Sequence, residues 1–182
     1  NHEAAIDSYK QALKINPNHA ETHNNIGNVL KEMGDLEAAI NNYKQAIKIK
    51  PDYADAYHNM GRSLKRSGEF KAAIKSHQQV LKLDPNHSGA YHSLGLLFEE
   101  IKEYEKAVEC FKLSSINKSG YYLMRCLYHQ DKKSLFYDQL DLLLNKGEVD
   151  PLIGSLGCRS ALRYGNKRPN LFCKDPLSYV LH

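Results

Sequence analysis

The sequence predicts an all-α fold, an α–α superhelix in which antiparallel helix pairs stack as a solenoid. Three observations lead there. First, "KINPNHAETHNNIGNVLKEMGDLEAAI" at 14–40 returns as "KIKPDYADAYHNMGRSLKRSGEFKAAI" at 48–74 and as "KLDPNHSGAYHSLGLLFEEIKEYEKAV" at 82–108, a constant offset of 34 residues. Self-similarity at that period marks stacked helical units. Second, Pro17, Pro51 and Pro85 each follow an amphipathic run, and proline ends a helix because it lacks an N–H and disfavours helical geometry in the residue before it. Third, small residues recur in fixed columns, Gly27, Gly61 and Gly95 with Ala39, Ala73 and Ala107.

The elements follow in order. A half repeat, 1–19, supplies one helix at about 3–15 from "HEAAIDSYKQALKINP". Its own first helix is missing, so Ala5, Tyr9 and Ala12 are expected to be only partly covered, and self-association through this edge is expected. A chain that starts in mid-repeat is expected to be trimmed or part of a longer array. The repeats 20–53, 54–87 and 88–118 then pair helices 20–33 with 36–49, 54–67 with 70–83, and 88–101 with 104–116. Gly34 and Gly68 break the first two pairs, and Lys102 takes that place in the third. Glycine inside a helix costs about 1 kcal/mol against alanine, so the glycine column implies close helix approach, with the alanine column expected opposite. Tyr43, His77 and Phe111 belong to the surrounding apolar layer. Residues 119–147 read as a degenerate capping repeat, with helices at about 119–130 and 133–146 but without the Gly/Ala pair or closing proline. Residues 148–182 read as a helix at about 151–164 and an irregular basic tail.

Composition and motifs exclude several function classes. The net charge of +4 is too small to imply nucleic acid or a membrane surface by itself. No apolar run approaches the roughly 20 residues of a spanning helix, and the N-terminus has no signal-peptide pattern. Cys110, Cys126, Cys158 and Cys173 form no C-x-x-C pair, which argues for free thiols in a reducing, cytoplasmic setting rather than for a zinc site. "HAETH" at 19–23 places its glutamate two residues after the first histidine, where a zinc protease needs it directly after. No nucleophile elbow, phosphate loop or dinucleotide glycine pattern occurs, so no catalytic residue, cofactor or metal is expected. The cations Arg159, Arg163, Lys167, Arg168 and Lys174 interleave with Tyr164 and Phe172. That pairing can bind single strands, but these charges are read as solvating a linker or pairing with an acidic neighbouring domain, and nucleic acid is not an expected partner.

The repeat columns resemble the tetratricopeptide repeat from residue 20 to about 118, and residues 2–17 resemble the second helix of a preceding unit. The resemblance implies a right-handed superhelix in which the first helix of each pair lines a concave groove. The implied function is a non-enzymatic protein–protein interaction scaffold that holds an extended peptide or protein segment. The groove residues would be Asn24, Asn25 and Asn28 in the first copy, His58, Asn59, Arg62 and Lys65 in the second, and His92 and Ser93 in the third. Asn25 and Asn59 share a column, and an amide that both donates and accepts can grip a peptide backbone. That ladder is similar to the repeats of O-linked N-acetylglucosamine transferases, with Ser93 departing from it. Chaperone-docking tetratricopeptide domains instead hold a terminal carboxylate with cations, whose places here hold Asn24, Gly89 and Ser93; no charged partner remains. "RYGNKRPNLFCKDPLSYVL" resembles the segment that joins such arrays to iron- and 2-oxoglutarate-dependent oxygenase domains. The alternative is therefore a substrate-recruiting or linker part of a larger enzyme, of glycosyltransferase or oxygenase type.

Overall fold

Proline and glycine set the helix boundaries in the computed structural model, which describes residues 2–115 and 119–145. Among the described residues there are nine α-helices and no strand. They are α1 (His2–Ile15), α2 (Ala20–Met33), α3 (Leu36–Ile49), α4 (Ala54–Arg66), α5 (Phe70–Leu83), α6 (Ser88–Glu100), α7 (Tyr104–Leu113), α8 (Ser119–His129) and α9 (Lys133–Asn145). Lys50, before Pro51, is extended at φ −129 and ψ 90, and Asp84, before Pro85, at φ −136 and ψ 94. Both conformations are those the following proline ring enforces. Gly34 (φ 90) and Gly68 (φ 83) turn α2 into α3 and α4 into α5 through the left-handed region, where a Cβ is costly. Lys102 adopts φ 62 at the corresponding turn, and Asp131 adopts φ 58 between α8 and α9.

The chain forms two compact units, Asn1–Leu97 and Phe98–His182. In the first, α1 packs on α2, α2 on α3, α3 on α4 and α4 on α5, with a further contact between α2 and α4. Each apolar stripe is thereby covered by the next helix, which one pair alone could not achieve. Ile40, Leu64, Ala73 and Leu97 form one buried cluster, with Met60, Phe70, Ala72 and Ile74 packed against it. Ala20, Ala46 and Ala56 form another, sealed by Ile47, Ile49 and Tyr53. Asp35 caps α3 by accepting the Ala38 N–H at 3.1 Å, and such a cap contributes about 1 kcal/mol.

Two glycines of the column, Gly27 and Gly61, stand directly against a ring of the second helix. A Cβ on Gly27 would lie 2.6 Å from Cε1 of Tyr43, and one on Gly61 would lie 2.7 Å from Nε2 of His77. Gly27 and Gly61 therefore make room for the ring on the second helix of their pair.

In the second unit α8 packs on α7 and on α9. Leu123, Met124, Cys126, Leu127, Phe136, Leu140 and Leu143 are buried. This terminal pair has a close contact of its own, outside the repeat columns: a Cβ on Gly120 would meet Leu143 Cδ2 at 2.6 Å. The guanidinium of Arg125 grips both oxygens of Glu99, and its cation lies 5.0 Å from the ring of Tyr122. Helix α7 stops at Leu113, short of residue 116, because Ser114 turns to φ −86 and ψ 126. The helix expected at 151–164, the basic tail and the thiols of Cys158 and Cys173 lie outside the described residues.

Candidate functional site

The first helices α2 and α4 lie side by side and are joined by polar bonds across the repeat boundary. Nδ2 of Asn59 donates to Oδ1 of Asn24 at 3.1 Å, and Nη1 of Arg66 donates to the carbonyl of Lys31 at 3.0 Å. Asn24, expected to face outward, is instead 5 % exposed. Its cover is the neighbouring first helix, and the Asn59 amide satisfies its buried oxygen. Asn25 and Asn59 are half-buried, and Arg62 is exposed. Asn28 accepts from the Tyr43 hydroxyl at 2.9 Å and from Lys31 Nζ at 3.3 Å. Burial pushes the Tyr43 phenol up to about 12.

The C-terminal halves of α2 and α4 carry Lys31, Arg62, Lys65 and Arg66 beside one carboxylate, Glu32. Burial first, then the charges of Arg62 and Arg66, push the Lys31 ammonium below its usual range, with Glu32 opposing. His92 is likewise pushed down by burial and then by Lys65. Ser93 is half-buried on α6. Asn25 and Asn28 thus stand on α2 and Asn59 and Arg62 on the adjoining α4, while Asn24 is buried against Asn59.

Beneath the second copy is a histidine cluster that sequence reading passed over. The His58 ring packs edge-on against His77 and tilted against His87, with centroids 5.1 Å apart in both cases. His77 is fully buried on α5, and neither of its ring nitrogens has a hydrogen-bond partner among the described residues. Desolvation, then like-signed neighbours, holds His77 down at about 3 and His58 down at about 4. His87 is engaged differently, its Nδ1 accepting the Ala90 N–H at 3.0 Å. The signal was present in the sequence: the column that holds Tyr43 holds His77 one repeat later. The first histidine of "HAETH", His19, caps α2, accepting the Thr22 N–H at 3.3 Å. No group of three or more His, Cys, Asp or Glu among the described residues is arranged to hold a metal ion. No helix among them is long and apolar enough to cross a membrane.

A family model described as "TPR repeat" matches residues 1–34 and 27–68. Models described as "Tetratricopeptide repeat" match residues 54–87 and 78–109. No curated protein matches the chain in sequence. Several solved structures share the fold. MamA is 24% identical, covers 81% of this chain and 92% of its own, and superposes with a TM-score of 0.72. YrrB, described as a TPR protein with an unusual peptide-binding site, is 16% identical over 96% of this chain and 91% of its own, with a TM-score of 0.77. The pilF protein of Pseudomonas aeruginosa is 20% identical over 98% and 90%, with a TM-score of 0.75. At these identities the likeness is one of fold.

Proposed function

Residues 1–109 of this chain are tetratricopeptide repeats, and on that premise we propose a non-enzymatic protein-interaction scaffold holding an extended peptide or protein segment along α2 and α4. The observation that carries this reading is the Asn59–Asn24 bond at 3.1 Å. It holds the Asn59 amide in one orientation at a half-buried surface, one repeat on from Asn25 in the same column. An amide fixed before the ligand arrives loses little rotamer freedom on binding. Amides presented from consecutive repeats suit the alternating donors and acceptors of an extended backbone. The similar asparagine column of O-linked N-acetylglucosamine transferases supports the same use, and YrrB offers a peptide-binding site on this fold.

The test uses peptides selected from a random displayed library on the full chain. Asn25→Ala is the informative variant, because Asn59→Ala would also remove the bond to Asn24. The loss of one backbone-gripping amide is expected to weaken binding about fivefold to tenfold, with helical circular dichroism unchanged. Undiminished affinity in Asn25→Ala and in Asn25→Ala/Arg62→Ala returns these residues to a solvated surface.

A further inference from the structure

Four cations gather on the C-terminal halves of α2 and α4. Arg66 donates to the Lys31 carbonyl at 3.0 Å, and Lys31 Nζ reaches Asn28 Oδ1 at 3.3 Å. Arg62 is exposed, and its charge is felt at Lys31 and at His58. Lys65, one turn of helix further, acts on His77 and on His92 of α6. The carboxylates of the same helices are largely engaged elsewhere. Glu21 lies 3.4 Å from Lys50 and 3.7 Å from His19, and Asp55 acts on His58. Glu32 does reach Lys31, and it also stands 3.9 Å from His2 of α1.

Part of this pattern has a purely structural account. Cations in the last turn of a helix complement its dipole, and Arg66 satisfies an end carbonyl of α2. Neither reason covers Arg62, a full turn inside α4. Nor does either explain why Lys31, Arg62 and Arg66 are set against one another across two helices, where like charges raise each other's energy.

We infer that the segment held on this face is acidic, an extended stretch with Glu or Asp side chains spaced along it that settle among Lys31, Arg62 and Lys65. The inference rests on the groove reading above and names its partner's chemistry. A carboxylate between these groups replaces repulsion with charge-assisted hydrogen bonds, and the Arg62 fork can take one bidentately. The cations are distributed over two adjacent helices, which matches carboxylates spread along a chain rather than a single chain terminus. Most of these groups are solvent-accessible, so the same charges steer encounter and make binding salt-sensitive.

The experiment measures anisotropy of a fluorescein-labelled peptide of repeating Glu-Ser-Gly on the full chain, beside its Gln-Ser-Gly and Lys-Ser-Gly counterparts. The Glu peptide is expected to bind about tenfold or more tighter than the Gln peptide and to weaken with added salt. Arg62→Gln/Lys65→Gln is expected to abolish that preference with circular dichroism unchanged. Equal binding of Glu and Gln peptides overturns the inference and leaves the groove reading standing. Displacement of the Glu peptide by oligothymidylate at lower concentration than by unlabelled Glu peptide also overturns it, since the face would then read phosphate. If no peptide of any charge binds, and library selection also yields none, the groove reading falls together with the inference.

Discussion

Tyr43 of α3 lies with its ring over Gly27 of α2, so close that a Cβ at 27 would stand 2.6 Å from Cε1. The same ring donates its hydroxyl to Asn28, the next residue along α2, at 2.9 Å. One side chain therefore both demands the glycine and bonds beside it. Because the Tyr43 ring is fully buried, it has little room to retreat. Gly27→Ala is expected to destabilise by about 1–3 kcal/mol through overpacking, against a helix-propensity gain of about 1 kcal/mol. Thermal melts of Gly27→Ala, Tyr43→Ala and the double variant check this. The methyl should cost markedly less once the ring is gone, and an equal cost in both backgrounds would refute the contact.

Acid should attack the second repeat first. His77 is held near 3 and His58 near 4, both below the ordinary 6.5. The groups that face them are Arg62, Lys65 and Lys31, the neighbouring histidines including His87, and Asp55 as the opposing charge. Below pH 6.5 the unfolded chain binds protons that the folded one refuses, so stability is full above that pH and falls as pH drops towards 3. For His77 the loss at pH 5 is about 2 kcal/mol. His77→Phe, which borrows the residue found at Phe111 one repeat later, should flatten the acid limb of a denaturation series between pH 7 and 5. An unchanged slope would mean that His77 is not the group titrating.

Helix α1 should mediate contact between copies. None of its residues is buried, and Ile15 is 87 % exposed at its end. Exposed apolar surface of this kind tends to find a partner. Sedimentation velocity is expected to show association that rises with protein concentration and is reduced by Ile15→Lys. A single monomeric boundary at every concentration tested would remove α1 as a contact surface.

Most helix boundaries were legible because their causes are local. Proline forces Lys50 and Asp84 into extended geometry, and glycine or Lys102 supplies the left-handed turn. Packing partners were less legible. The sequence matched small with small, Gly27 with Ala39, and did not reveal the large ring that also closes on Gly27. Asn24 looked like surface because asparagine usually is, and its burial depends on Asn59, 35 residues on. The histidine cluster draws on α4, α5 and the segment before α6, and only folding brings the His77 and His87 rings each to 5.1 Å from His58. Contacts across repeats are set by stacking geometry, which column-by-column reading does not resolve.

The central claim, that a partner segment lies along α2 and α4, is tested most directly by placing a photo-reactive benzoylphenylalanine in the full chain at position 25, 62 or 44 in turn. Asn25 and Arg62 stand on first helices, whereas Lys44 is exposed on the second helix α3. Peptides selected from a random displayed library are then irradiated with each variant. Adducts are expected from positions 25 and 62 and none from 44. Adducts from position 44, with none from 25 or 62, would contradict the claim.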